Sequence, residues 1–254
     1  MEVALSVVIP AYNEAGRLPR YLDAIRGYYS VLAFEGYEAI VVDDGSRDGT
    51  GDFVRRAAAD WPQLALIEHP TNRGKGAAVR TGMLAARGRA ILFADADGAT
   101  PIGEEEKLRE AISAGADVAI GVRGRGSADG PKAYRPWHRD FAGRVFSGIA
   151  RRYLALPVAD TQCGFKMFAR GVVPSLFEPC HESGYLFDLY VLKAADRLGY
   201  RIVEIPVAWE EIRGSKVQLL RDSWRMLIGL ERIRRNFTRA GGACGPPIAA
   251  APPA

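Results

Sequence analysis

Short apolar runs recur along the first two thirds of this chain, each followed by a stretch with helical spacing. That alternation constrains the fold more than any other feature. Val3 to Ile9 is almost continuously apolar and reads as a strand buried on both faces, stopped by Pro10. Leu18 to Phe34 carries Leu18, Leu22, Ile25, Tyr29 and Leu32 at helical spacing. Further strands are expected at Ala39–Val42, Leu64–Glu68, Ala90–Ala94 and Asp117–Gly121. Helices are expected between them, from the turn and cap residues Ser46–Thr50 to about Asp60, over Gly74–Arg87 and over Gly103–Ala114. This rhythm predicts an α/β fold: a mostly parallel sheet with helices on both faces.

After Gly121 the rhythm changes. Gly124–Pro131 reads as a Gly-rich loop, and Trp137–Ala155 as a basic amphipathic helix with Phe141, Val145, Ile149 and Tyr153 on one side. A helix over Gly184–Leu198, a strand over Arg201–Val207 and an Arg-rich amphipathic helix over Val217–Phe237 follow. Residues 240–254 are Ala, Gly and Pro apart from Cys244 and Ile248, a composition that cannot build a core and is expected to be disordered. No linker divides the rest, so residues 1–239 are expected to form a single domain.

Charge narrows the partners. The net +4 conceals two basic blocks, Arg123–Arg152 and Arg213–Arg239, each with eight Lys/Arg against two acids. The rest of the chain, with 18 bases and 26 acids, is net negative. Such segregation suits an anionic surface or ligand, a solvated Arg-rich helix face being the plain alternative. With 48% hydrophobic residues the chain can bury a sizeable core. Cys163, Cys180 and Cys244 have no CxxC or Cys/His spacing, which argues against a zinc knot or a disulfide framework and for a reducing cytosol. Cys163, without a nearby base, reads as a packing residue. No apolar run reaches the length of a membrane span, so the chain is expected not to cross a membrane by itself.

In an open parallel sheet, ligands bind beyond the carboxyl ends of the strands. Those ends are polar here: Pro10-Ala11-Tyr12-Asn13-Glu14, Asp43-Asp44-Gly45-Ser46 and Asp95-Ala96-Asp97. Two acids at the tip of a buried strand repel each other unless a cation or donors meet them. With Arg73 and Lys75 in a neighbouring loop, the Asp-x-Asp step reads as a metal–diphosphate site for Mg²⁺ or Mn²⁺. Asn72-Arg73-Gly74-Lys75-Gly76 lacks P-loop spacing, and no G-x-G-x-x-G follows the first strand. His69, His138 and His181 form no ligand pattern and read as surface or satisfied histidines.

The strings Val7-Val8-Ile9-Pro10-Ala11-Tyr12-Asn13-Glu14, Val42-Asp43-Asp44-Gly45-Ser46-Arg47-Asp48-Gly49-Thr50, Asn72-Arg73-Gly74-Lys75-Gly76 and Asp95-Ala96-Asp97-Gly98-Ala99-Thr100 resemble the inverting glycosyltransferases of family 2. Asp160-Thr161-Gln162-Cys163-Gly164-Phe165-Lys166 and Trp209-Glu210-Glu211-Ile212-Arg213-Gly214-Ser215-Lys216 resemble the branch of that family that glucosylates dolichyl-type and bacterial polyprenyl phosphates. The likeness runs from about Val3 to Arg235. It implies a GT-A-type, Rossmann-like fold with C-terminal amphipathic helices.

By that resemblance Pro10, Tyr12, Glu14, Val42, Asp44, Lys75 and Ala96 belong to the nucleotide-sugar site, Asp95 and Asp97 to the metal, and Lys216 to the diphosphate. Arg123, Arg139 and Arg144 match arginines that meet the acceptor phosphate, though each can equally be a solvated surface residue. Asp160 and Asp188 lie in acceptor-side motifs, to orient sugar hydroxyls or to serve as a base; with Asp97 and Lys216 they complete the candidate catalytic set. Ala99 and Glu210 replace a glutamine and an arginine of the mannosyl branch, pointing from GDP-mannose to a UDP-sugar.

The expected reaction moves a hexose, glucose first and N-acetylgalactosamine or GDP-linked mannose as alternatives, from a nucleotide donor to a polyprenyl monophosphate with inversion. A soluble phosphorylated acceptor is the rival. Nucleic acid is not an expected partner, because no stacking aromatics or recognition module accompany the basic blocks. The expected location is peripheral, on the cytoplasmic face of a membrane, with a membrane-embedded partner as a further possibility. Leu220, Trp224, Leu227 and Ile228, flanked by Arg221, Arg225 and Arg232, form the candidate membrane-facing or sheet-facing stripe.

Overall fold

The computed structural model describes residues 2–123, 148, 150–210, 212 and 229–238. Among them seven strands form one sheet: β1 (Leu5–Ala11), β2 (Tyr37–Asp43), β3 (Leu64–Glu68), β4 (Ala90–Ala94), β5 (Val118–Arg123), β6 (Phe165–Ala169) and β7 (Ile202–Val207). Their order is β3-β2-β1-β4-β6-β5-β7. β1 pairs in parallel with β2 and β4, β2 with β3, and β5 with β7. β6 runs antiparallel to both its neighbours, β4 and β5.

The helices are α1 (Leu18–Val31), α2 (Thr50–Ala59), α3 (Lys75–Ala85), α4 (Glu105–Ser113), α5 (150–154), α6 (Val173–Phe177), α7 (Phe187–Arg197) and α8 (229–238). Strand side chains alternate between the sheet faces with period two. Val7, Ile9, Val41 and Leu92 pack with Leu22 and Ile25 of α1, Val54 of α2 and Leu108 of α4. Val8, Ile40, Val42 and Phe93 pack with Val79 and Met83 of α3, Leu176 of α6, Leu189 of α7, and Leu230 and Ile233 of α8. Both faces are thus covered, as the apolar strand runs require.

Three expectations change. Pro10 does not stop β1. The β1–β4 pairing ends at Val8↔Phe93 while the β1–β2 pairing continues to Ala11↔Asp43, so Pro10 falls where the strand has one neighbour. β6 and α6 were not foreseen. Lys166 interrupts the apolar pattern of Phe165–Ala169, and a lysine reads as exposed, yet it is buried opposite Phe93.

The described part of the C-terminal helix buries Leu230 and Ile233 against the sheet and pairs Arg232 with Glu182, so its apolar side faces the core. Leu220, Arg221, Trp224, Arg225, Leu227 and Ile228 lie outside the described residues, as do 240–254 and the whole of 124–147 with Phe141 and Val145, and Ile149. Tyr153 is half-exposed; the buried residues of α5 are Ala150 and Leu154.

Candidate active site

The strand order reverses between β1 and β4, and the carboxyl ends of β1, β2 and β4 open on one edge at that switch point. Local hydrogen bonds stitch these ends together. Ser46 Oγ accepts from the Asn13 N–H at 2.8 Å, and Asn13 Oδ1 accepts from the Arg47 N–H at 2.9 Å. Asp48 accepts from the Ala15 N–H, and Thr50 Oγ1 from the Glu14 N–H. Asn13 takes a positive φ of 52°, which asparagine tolerates better than most residues. The loop after β1 is therefore clamped to the loop after β2, with half-exposed Tyr12 at its tip.

Asp95 and Asp97 follow β4. Lys75 Nζ lies 2.7 Å from Asp95 Oδ1, and Arg17 lies 3.8 Å from Asp97 while donating twice to Glu14 at 2.6 and 2.7 Å. Burial, then the neighbouring Asp95 charge, pushes the Asp97 carboxyl above the usual carboxylate range. Gly164 passes so close that a Cβ there would stand 2.0 Å from Asp95 Oδ2. The Asp95 carboxylate is thus confined between Lys75 and the chain entering β6.

Among the described residues no group of three or more His, Cys, Asp or Glu side chains could hold a metal alone. Two hard carboxylates in one turn, mutually repelling, nevertheless fit a divalent cation that takes its remaining oxygens from substrate phosphates.

The Gly-rich turn before α3 has its own reason. Gly74 has φ +99°, and a Cβ there would lie 2.3 Å from the Ser183 carbonyl oxygen; one on Gly76 would lie 2.1 Å from that of Glu182. Close backbone passage of 182–184, with Gly76 N–H donating to Ser183 at 2.8 Å, sets the direction of Lys75. Asp44 is occupied in the same task. Its carboxylate accepts from the Arg73 and Gly74 N–H groups at 2.9 and 2.7 Å and pairs with His69 at 2.7 Å. His69 is a satisfied, buried histidine, its Nε2 lying 3.0 Å from Thr81 Oγ1. Asp44 therefore also builds the loop that it belongs to.

Behind Lys75 lies a second charge pair. Lys166 Nζ meets Asp188 Oδ1 at 2.7 Å and the Cys163 carbonyl at 2.5 Å, all buried. Burial pushes the Asp188 carboxyl up against the pull of Lys166 and Lys75. Both lysines flank the Phe93 ring, at 5.3 and 5.9 Å from its centroid. Arg123 grips Asp160 with two bonds, 2.7 and 2.9 Å, and lies 5.7 Å from the Trp209 ring. Burial would raise the Asp160 carboxyl, but the hydrogen bonds and charge of Arg123, the Gln162 N–H and the Lys166 charge together hold it below its usual range. A carboxylate so held is occupied in orienting Arg123.

Asp95, Asp97 and Lys75 thus meet as expected, and Glu14 joins them through Arg17. Pro10, Val42 and Ala96 are buried at the strand ends. Arg139, Arg144, Lys216 and His138 lie outside the described residues. Cys163 is buried with its thiol pushed up to about 11 by burial, as a packing cysteine should be. Arg17, Gly164 and Lys166 were missed. Only Arg17 had a local signal, three residues after Glu14.

A covered, mostly parallel sheet with an Asp-x-Asp step at its switch point is the arrangement that the resemblance to GT-A-type glycosyltransferases implies. Residues 6–177 match the model of Glycosyl transferase family 2, and the chain belongs to that family. It is 36% identical to the dolichyl-phosphate beta-glucosyltransferase of Saccharomyces cerevisiae over 93% of this chain and 75% of that protein. It is 39% identical to the Drosophila melanogaster protein of the same name over 90% and 77%. A crystal structure of glucosyl-3-phosphoglycerate synthase from Mycobacterium tuberculosis, with Mn²⁺, UDP and glucosyl-3-phosphoglycerate, shares the fold. Its TM-score is 0.62 at 21% identity, over 95% of this chain and 81% of that one.

Proposed function

We propose that this glycosyltransferase moves glucose from UDP-glucose to a polyprenyl, dolichyl-type monophosphate with inversion at C1. The observation that carries the reading is extended identity to proteins named for that reaction, 36–39% over at least nine tenths of the chain. The site is compatible with it. The two positions that depart from the mannosyl pattern are in contact, the Glu210 N–H donating to the Ala99 carbonyl at 2.8 Å beside Asp97. Both departures favour a UDP-sugar.

A phosphate monoester has its second pKa near 6, so the acceptor arrives largely dianionic and needs no strong base. The harder task is charge growing on the departing diphosphate. Asp95 and Asp97 would hold Mg²⁺ or Mn²⁺, which supplies positive charge to that leaving group. Lys75 stands beside Asp95, and Lys216 is assigned to the diphosphate by its motif. Tyr12 and Glu14 belong to the nucleotide side. Arg123, with Arg139 and Arg144, is assigned to the acceptor phosphate, and Asp160 orients Arg123. Attack from the face opposite the diphosphate converts an α-linked donor into a β-linked lipid phosphate.

The proposed place of action is the cytoplasmic face of a membrane, where the phosphate of a lipid acceptor lies at the headgroup level. The test is incubation with radiolabelled UDP-glucose, Mg²⁺ and polyprenyl phosphate. Label entering the organic phase supports the assignment, and label that stays in the aqueous phase with every sugar donor contradicts it.

A further inference from the structure

The Tyr21 hydroxyl is buried and has no hydrogen-bond partner among the described residues. A second buried hydroxyl, Tyr29 Oη, shares that property. The two differ in surroundings. Tyr29 is enclosed by the rings of Tyr28, Phe34 and Tyr37. Tyr21 lines a cleft of about 20 Å³ together with Asp95, Ala99, Thr100, Gly164 and Trp209. Leaving a buried donor unpaired is costly, and a polar cavity of at least about 10–15 Å³ holds one water.

The ring itself is held in place. Gly98 has φ +69°, and a Cβ on it would lie 2.7 Å from Tyr21 Cδ2, so the Asp95–Gly98 turn rests on the face of Tyr21. Asp95 directs Oδ1 to Lys75, while Oδ2 is the oxygen nearest Gly164, a residue that also lines the cleft. Burial, followed by the charges of Asp95 and Asp97, keeps the phenol protonated and therefore a donor.

We propose that Tyr21 Oη donates to a single water in this cleft, and that the water donates in turn to the Asp95 carboxylate and holds it in the orientation that meets the cation. Tyr21 is then a positioning residue, acting through water and Asp95 on the metal. The inference rests on the assignment of Asp95 and Asp97 as metal ligands. Outer partners that orient a metal-binding carboxylate typically contribute about 10–100-fold to metal affinity.

The test compares Tyr21→Phe with Tyr29→Phe. Both keep their rings and lose only a hydroxyl. Mn²⁺ affinity is measured by electron paramagnetic resonance on the purified chain with UDP present, to supply the phosphate oxygens, and no acceptor, alongside Tm. Tyr21→Phe is expected to weaken Mn²⁺ binding roughly 10-fold or more and to lower Tm, while Tyr29→Phe leaves Mn²⁺ affinity unchanged. Unchanged affinity in Tyr21→Phe overturns the proposal, and a raised Tm identifies an unsatisfied hydroxyl. If the wild-type chain binds no Mn²⁺, the metal assignment itself fails, a result distinct from the first. Should Tyr21→Phe not fold, a high-resolution crystal structure of the wild type decides. An ordered water between Tyr21 Oη and Asp95 is expected, and an empty cleft or a protein partner for Oη refutes it.

Discussion

Gly164→Ala is the smallest substitution that should disable the site while sparing the fold. The added Cβ would stand 2.0 Å from Asp95 Oδ2, 2.2 Å from Cγ and 2.8 Å from Oδ1. Ordinary contact needs about 3.4 Å or more, so the carboxylate must retreat by on the order of 1 Å. Moving it breaks the 2.7 Å pair with Lys75 and displaces one of the two proposed metal ligands. Misplacement by about 1 Å in a catalytic site can cost 10²-fold, or roughly 2.7 kcal/mol of transition-state stabilisation. The overpacking itself costs about 1–3 kcal/mol of stability. Gly171→Ala is the control, because a Cβ there meets nothing within 4 Å. The assay is kcat/KM for label transfer with Tm measured in parallel. A Gly164→Ala enzyme with wild-type kcat/KM and Mn²⁺ affinity would refute the reasoning that Asp95 is confined for function.

Lys166→Met removes the cation that hydrogen-bonds Asp188 in the core and leaves only the longer-range pull of Lys75, which should cost about 3–5 kcal/mol and lower Tm by on the order of 10 °C. The double variant Lys166→Met/Asp188→Leu should recover most of that Tm. The Asp160 carboxyl is held below its unfolded value despite burial, so the folded state binds fewer protons in acid than the unfolded chain. Its stabilisation is complete above about pH 5 and is lost as pH falls through the folded pKa. Arg123→Met should therefore flatten the fall in stability below about pH 5, read by urea titration along the acid limb. Finally, anionic vesicles should sediment the protein in low salt and release it in high salt, with Arg221→Gln/Arg225→Gln weakening the association; equal binding to neutral vesicles would contradict the electrostatic account.

Much of the fold was legible because parallel strands buried on both faces announce themselves as uninterrupted apolar runs. Leu64–Glu68 and Ala90–Ala94 have the same bounds in the sequence reading and in the structure. Phe165–Ala169 was hidden because Lys166 is a buried charge, and its partner Asp188 is 22 residues away. The Asp95–Asp97–Lys75 grouping was legible for a topological reason: parallel strands deliver their carboxyl ends to one edge. What individual side chains do there was not. Asp44 follows a strand end like Asp95, yet three neighbours in the 69–74 segment claim its carboxylate. Arg17 reaches Asp97, and Gly164 crowds Asp95, between segments far apart in sequence; only the Arg17–Glu14 spacing is a local signal.

The central claim is that the acceptor is a lipid phosphate rather than a soluble one, and a single competition measures it. The enzyme is given UDP-glucose with polyprenyl phosphate in detergent micelles and 3-phosphoglycerate at equal concentration, and the products are separated by mass. The account predicts glucosyl-phosphoryl-polyprenol as the dominant product, absent in Asp97→Ala. Predominant glucosylation of 3-phosphoglycerate, with the lipid untouched, would contradict it.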